Sequence, residues 1–166
     1  YVNEANDLAA IVEVNCETDF VAKNQEFIDF INSMAKIVVE NNINSLEELY
    51  EAEYKGMKVK DSLSALIAKI GENMTIRRFE KFAVNDGAVV CYNHAGGRIG
   101  TIVELNCSKV CDTLLDLGKD IAMQVAALNP LYICDSEVPA GHIEKEREIL
   151  KQQALNEGKD AAVVEK

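Results

Sequence analysis

Ala10-Ile11-Val12-Glu13-Val14-Asn15-Cys16 decides the fold, because the chain repeats it. Thr101-Ile102-Val103-Glu104-Leu105-Asn106-Cys107 agrees with it at five of seven positions, 91 residues later. Both stretches are short, apolar and rich in β-branched residues, which suits a strand packed on a core. The offset is too long for a solenoid, whose period runs about 20–50 residues, and points to a duplicated subdomain.

Working outward, each strand follows a turn: Glu4-Ala5-Asn6-Asp7 in the first copy, Asn93-His94-Ala95-Gly96-Gly97 in the second. The apolar run 88–92 before the second turn makes a hairpin. Only Tyr1-Val2-Asn3 precede the first turn, so the opening strand there reads as truncated and the chain as a fragment of a longer protein. A helix follows each repeated strand. Phe27, Ile31, Met34, Ala35 and Val38 recur at helical spacing behind Asn24, an N-cap residue type. Leu114, Leu117, Ile121, Val125 and Leu128 do the same, and Pro130 ends that helix. A further strand closes each unit, over residues 75–84 and 131–134. The first copy carries an insert with a short acidic helix over 46–50 and a second helix over 61–70, ended by Gly71. A charged helix over 140–157 reads as a projecting arm. The expected fold class is therefore α+β: two duplicated subdomains, 1–86 and 87–136, each a small antiparallel sheet with helices on one face, followed by a helical segment over 137–166.

Charge narrows the partners. The 166 residues hold 28 Asp and Glu against 17 Lys and Arg, a net charge of −11. Both halves are acidic, which disfavours nucleic acid as a direct partner and an anionic membrane surface. No signal peptide is legible, and no apolar run approaches the roughly 20 residues of a membrane span. The five cysteines are odd in number and form no CxxC, so a reducing, cytoplasmic setting is expected.

No catalytic constellation emerges. His94 and His142 are the two histidines, and Cys107 and Cys111 have no histidine at ligand spacing. Gly96, Gly97 and Gly100 make a turn and not a phosphate loop. Arg77-Arg78 lies in a strand pattern, which points the two to opposite faces and argues against a phosphate clamp. No metal, no cofactor and no covalent chemistry are expected. The informative place is the junction Glu17-Thr18-Asp19-Phe20-Val21, where the second copy has Ser108-Lys109-Val110-Cys111-Asp112. Periodicity packs Phe20 inward, seven residues before Phe27 on one helix face, with Thr18 and Asp19 as capping residues. An exposed aromatic wedge is the other reading. Ile70-Gly71 reads as a helix end, and His94 as a polar loop residue.

The run 15–23, Asn-Cys-Glu-Thr-Asp-Phe-Val-Ala-Lys, closely resembles the signature of the bacterial elongation factor Ts family. The run 68–78, Ala-Lys-Ile-Gly-Glu-Asn-Met-Thr-Ile-Arg-Arg, resembles it too, as do Tyr92-Asn93-His94, Gly97-Arg98-Ile99-Gly100 and the helix around 121–127. The resemblance covers the whole chain. The family's N-terminal ubiquitin-associated-like domain has no counterpart here, which implies the core, or dimerisation, domain with the start of the coiled-coil arm.

The resemblance implies guanine-nucleotide exchange on elongation factor Tu, with no enzymatic bond-making. Thr18, Asp19, Phe20 and Val21 would form the exchange tip. Phe20 would enter an apolar pocket of the partner's GTPase domain and so disturb its Mg²⁺ and phosphate site. Ile70 and Gly71 would add contacts to that domain, and His94 a contact from the second subdomain. The family often has Gln where this chain has Glu17. Some members dimerise through this domain, so a homodimer is a further implication. A pure interaction module without exchange activity is the alternative, and an enzyme a distant third.

Overall fold

The structure is a computed structural model that describes residues 1–158; residues 159–166 of the expected arm lie outside the described residues. Strand β1 (Leu8–Cys16) pairs antiparallel with β4 (Met74–Ala83), from Leu8 opposite Ala83 to Cys16 opposite Met74. The chain between them forms α1 (Asp19–Ala22), α2 (Gln25–Glu40), α3 (Leu46–Glu51), a small hairpin of β2 (Glu53–Tyr54) and β3 (Met57–Lys58), and α4 (Val59–Ile70). Alternation sets the buried face of β4: Met74 and Ile76 are buried, while Thr75 and Arg77 are exposed. They join Ala10 and the apolar stripe of α2 (Phe27, Phe30, Met34, Val38) in the main core, closed by Leu49, Val59 and Leu63 from the insert.

The helix ends follow the local chemistry. Asn24 Oδ1 accepts from Glu26 N–H at 2.8 Å and starts α2, and Ser45 Oγ accepts from Glu48 N–H at 3.1 Å to start α3. Gly71 ends α4 in the left-handed region at φ 84°, with its N–H on Ile67 O at 2.8 Å.

β5 (Gly87–His94) and β6 (Ile99–Asn106) form a hairpin, and α5 (Asp112–Leu128) packs on it. Ala88, Val89 and Val90 are buried in succession, so β5 is covered on both faces. Val89 packs with Ala9 of β1 and with Val84, the residue after β4, while Val90 lies beneath α5 at Gly118. A Cβ on Gly118 would sit 2.7 Å from Val90 Cγ2 and 2.8 Å from Leu105 Cδ1, so the helix approaches the hairpin more closely than a side chain permits. Helices and small antiparallel sheets together make an α+β fold.

Two local expectations are corrected, and a third, the truncated opening strand, is observed. Residues 131–134 form no strand. Their backbone turns toward local acceptors: Ile133 N–H donates to the Glu137 carboxylate at 3.1 Å, and Cys134 leads into a 3₁₀ turn at Asp135–Glu137. The truncated opening strand before β1 is a single bridge between Val2 and Ala9. Arg77 and Arg78 do not diverge to opposite faces. The register shifts between Glu13 and Val14, so that Arg78 faces Glu13, Ile76 faces Val14 and Arg77 is the extra, bulged residue. Both guanidiniums then reach the one carboxylate, Arg77 at 2.8 Å and Arg78 at 2.6 Å, and hold Glu13 below the ordinary carboxylate range.

The chain divides into a compact unit over Tyr1–Asn129 and a second beginning at Pro130. The second contains α6 (Ala140–Asn156), which buries none of its residues, and a hydrogen bond of 2.8 Å between the Tyr132 hydroxyl and His142 Nδ1. No helix among the described residues is long and apolar enough to cross a membrane. All five cysteines are free.

Candidate functional site

β1 delivers the chain to Thr18 in an extended conformation (φ −123°, ψ 157°), and α1 begins there. A four-residue helix does not stand alone in water, because nucleation costs more than one turn returns. Three attachments hold it. Beneath, Val21 is 5% exposed and belongs to the main core. At its end, Lys23 N–H bonds to Phe20 O at 3.2 Å and Asn24 N–H to Val21 O at 2.9 Å. At its start, a carboxylate from the loop between α4 and β4 grips Thr18 twice. Thr18 N–H donates to Glu72 Oε2 at 3.1 Å, and Thr18 Oγ1 donates to Glu72 Oε1 at 2.7 Å. The same Oγ1 accepts from Val21 N–H at 3.4 Å. Beside this pair, Asn73 Nδ2 donates to Glu17 Oε1 at 2.8 Å, a bond that the amide oxygen of a glutamine could equally accept.

Because Val21 faces inward, its neighbour, about 100° around the helix, faces out. Phe20 is 81% exposed. The periodic reading that packed it inward is overturned, for a definite reason. Asn24 caps a new helix, so Phe20 and Phe27 stand on separate helices and the seven-residue spacing carries no phase across the break.

Asp19 lies beside Phe20. The Lys23 ammonium at 2.8 Å holds its carboxyl below the usual range, and Arg98 of the β5–β6 turn adds a weaker attraction. Cys16, half-buried under the tip, has its thiol pushed up by burial and by the Glu72 charge, and it donates to Thr18 O at 3.3 Å.

The hydrogen bonds bring Thr18 and the α4 terminus together. Ile70 is half-buried against the main core, Gly71 is exposed, and Glu72 follows at once. Lys69 Nζ, at 2.7 Å from the Glu26 carboxylate, ties that terminus to the start of α2. His94 is not joined to the tip by hydrogen bonds. It is the exposed last residue of β5 rather than a loop residue, and its Nδ1 shares a hydrogen bond of 2.9 Å with the Tyr92 hydroxyl. Glu72 was not among the sequence candidates. A glutamate after a helix-ending glycine reads as a solvent-facing charge, and its partner lies 54 positions away. Among the described residues, no group of three or more His, Cys, Asp or Glu side chains could hold a metal ion.

Fold and tip together define an α+β domain that holds one aromatic ring in solvent on a clamped, four-residue helix. The family described as Elongation factor TS matches residues 17–166. The chain is 52% identical over 169 residues to elongation factor Ts of Clostridium novyi (strain NT), which covers 100% of this chain and 55% of that protein. It is 49% identical over 168 residues to elongation factor Ts of Clostridium acetobutylicum and 48% over 167 residues to that of Clostridium perfringens (strain SM101), each with the same coverage. The chain belongs to the elongation factor Ts family, and it spans about half the length of these curated relatives.

Proposed function

We propose that this chain is the exchange-active core of a guanine-nucleotide exchange factor for elongation factor Tu, acting in translation elongation in the cytoplasm. Thr18, Asp19, Phe20 and Val21 form the tip, and Phe20 inserts into the partner's GTPase domain and disturbs its Mg²⁺ and phosphate site. Ile70 and Gly71 extend that contact, and His94 adds one from the β5–β6 hairpin. In this reading, residues 1–86 and 87–136 are two copies of one subdomain, the domain they make serves a homodimer, and α6 begins a coiled-coil arm.

The observation that carries the reading is the exposure of Phe20, 81%, on a helix fixed from below by Val21. An aromatic ring left in water forgoes burial worth about 2 kcal/mol, which a pocket on a partner would recover. An exchange factor needs no bond-making group. It must bind the nucleotide-free partner more tightly than the GDP-bound one, and by linkage it weakens GDP by the same ratio. Equal affinity for both states would shift nothing.

The test is release of fluorescent GDP from elongation factor Tu, with and without the protein. A buried aromatic hot spot is worth on the order of 2–4 kcal/mol, so Phe20→Ala slows catalysed release by roughly one to three decades. Its melting temperature stays at the wild-type value, since the ring packs on little of its own protein. Near-normal release with Phe20→Ala sinks the wedge. Binding of the partner without faster release would identify a docking module.

A further inference from the structure

We infer that Glu72 is the positioning residue of the exchange tip: it sets the direction of Phe20 by gripping Thr18, and it does so without touching the partner. The inference rests on the tip reading above and assigns a role to a residue that the reading leaves unused.

The geometry is a relay. Glu72 takes the Thr18 N–H at 3.1 Å and the Thr18 hydroxyl at 2.7 Å, with its other oxygen 3.0 Å from the same hydroxyl. A hydroxyl has one proton, and donating it to the carboxylate turns an oxygen lone pair toward Val21 N–H, the bond that caps α1. The carboxylate therefore fixes both the backbone that enters the helix and the cap that starts it. Val21 anchors the helix from beneath, and the Lys23 and Asn24 N–H bonds to Phe20 O and Val21 O close its end. The Glu72 clamp fixes the start, so the helix is held beneath and at both ends, and a ring projecting from such a helix meets a pocket without an ordering cost on binding. Asn73 to Glu17, 2.8 Å, braces the strand just before the clamp. The position of Glu72 is itself fixed, because Gly71 at φ 84° reverses the chain at the end of α4 and Met74, two residues on, is buried in the core.

The experiment is a double-mutant cycle in the full-length protein, read by fluorescent GDP release, with hydrogen exchange of residues 18–23 as a second readout. Glu72→Ala should cut the acceleration about tenfold, equivalent to about 1.4 kcal/mol. Amide exchange at Val21 should rise while the melting temperature holds. Glu72→Gln, whose amide can accept from Thr18 N–H and donate to Thr18 Oγ1, should rescue release to within about twofold of wild type. In a Phe20→Ala background, Glu72→Ala should add nothing, because it acts through the ring. Thr18→Val, which removes the other half of the clamp at constant volume, should reproduce Glu72→Ala and serves if that variant fails to fold. Wild-type release with Glu72→Ala, or an equal loss in both backgrounds, overturns the positioning role while the wedge stands. If Phe20→Ala releases GDP normally, the wedge reading and this inference fall together.

Discussion

Two strands of nearly the same sequence, β1 and β6, end in different ways. After β1 the chain makes a clamped helix that presents Phe20. After β6, residues 107–111 form no helix, and α5 starts directly behind Cys111. The shared Val-Glu-x-Asn-Cys core puts each strand against a helix, and the five residues beyond it decide what the strand end can offer. In the first region, Val21 is buried and draws the tip onto the core. The second region has Asp112 at the position of Val21, and its one apolar residue before α5 other than cysteine, Val110, is 39% exposed and gives no such anchor. Strands of nearly the same sequence thus lead into either a clamped protrusion or a plain connection, and the protrusion rests on one inward side chain with a polar clamp opposite.

The sharpest way to break this contrast is to place the same charge at Val21 and at Val110. Val21→Asp puts a carboxylate into the main core, where an unpaired polar group costs at least about 3 kcal/mol. Val110→Asp should stay within about 0.5 kcal/mol of wild type, as surface substitutions do. Urea midpoints compare the two, and equal losses would mean that the tips are anchored alike after all.

Much of this was legible in advance. The strand run 75–84, the cap at Asn24, the helix end at Gly71 and the acidic insert all follow from local residue chemistry, which acts over three or four positions. The exposure of Phe20 was not legible from periodicity, since Asn24 interrupts the helix and resets its phase. The convergence of Arg77 and Arg78 on Glu13 was hidden because a one-residue bulge reverses the parity of a strand and leaves no mark in composition. The strand expected over 131–134 failed where nearby acceptors outcompeted a ladder. Glu72 was hidden by distance: a hydrogen bond across 54 positions depends on the whole first sheet being in register.

The helix starts sharpen the comparison at intermediate size. Asn24 caps α2 with a side-chain bond, whereas Cys111 stands at the start of α5 in the right backbone conformation (φ −148°, ψ 166°) but with no side-chain cap bond. Asn24→Ala should therefore cost about 1 kcal/mol, and Cys111→Ser should gain about 0.5–1 kcal/mol. Opposite signs in thermal unfolding are the expected result. A neutral Asn24→Ala would show that the break between α1 and α2, on which the exposure of Phe20 depends, is held by packing alone.

The smallest effect concerns charge at the tip. Lys23, and more weakly Arg98, depress the Asp19 carboxyl below its ordinary value of 3.8. A group whose folded pKa is depressed contributes stability that is fully present above its unfolded pKa and is lost as pH falls through the folded one. Asp19→Asn should thus be slightly less stable than wild type at neutral pH. The difference should begin to shrink near pH 4 and vanish on further acidification, where the wild-type carboxyl is protonated as well. Added salt should shrink it too, because the pair is exposed and screened. Melting temperatures of the two proteins across pH 2–7, at low and high salt, provide the check. A difference that ignores both variables would mean that Asp19 acts through its shape and backbone hydrogen bonding. The tip would then owe its order to Val21, the Glu72 clamp and the hydrogen bonds at its end, with nothing added by the Asp19 charge.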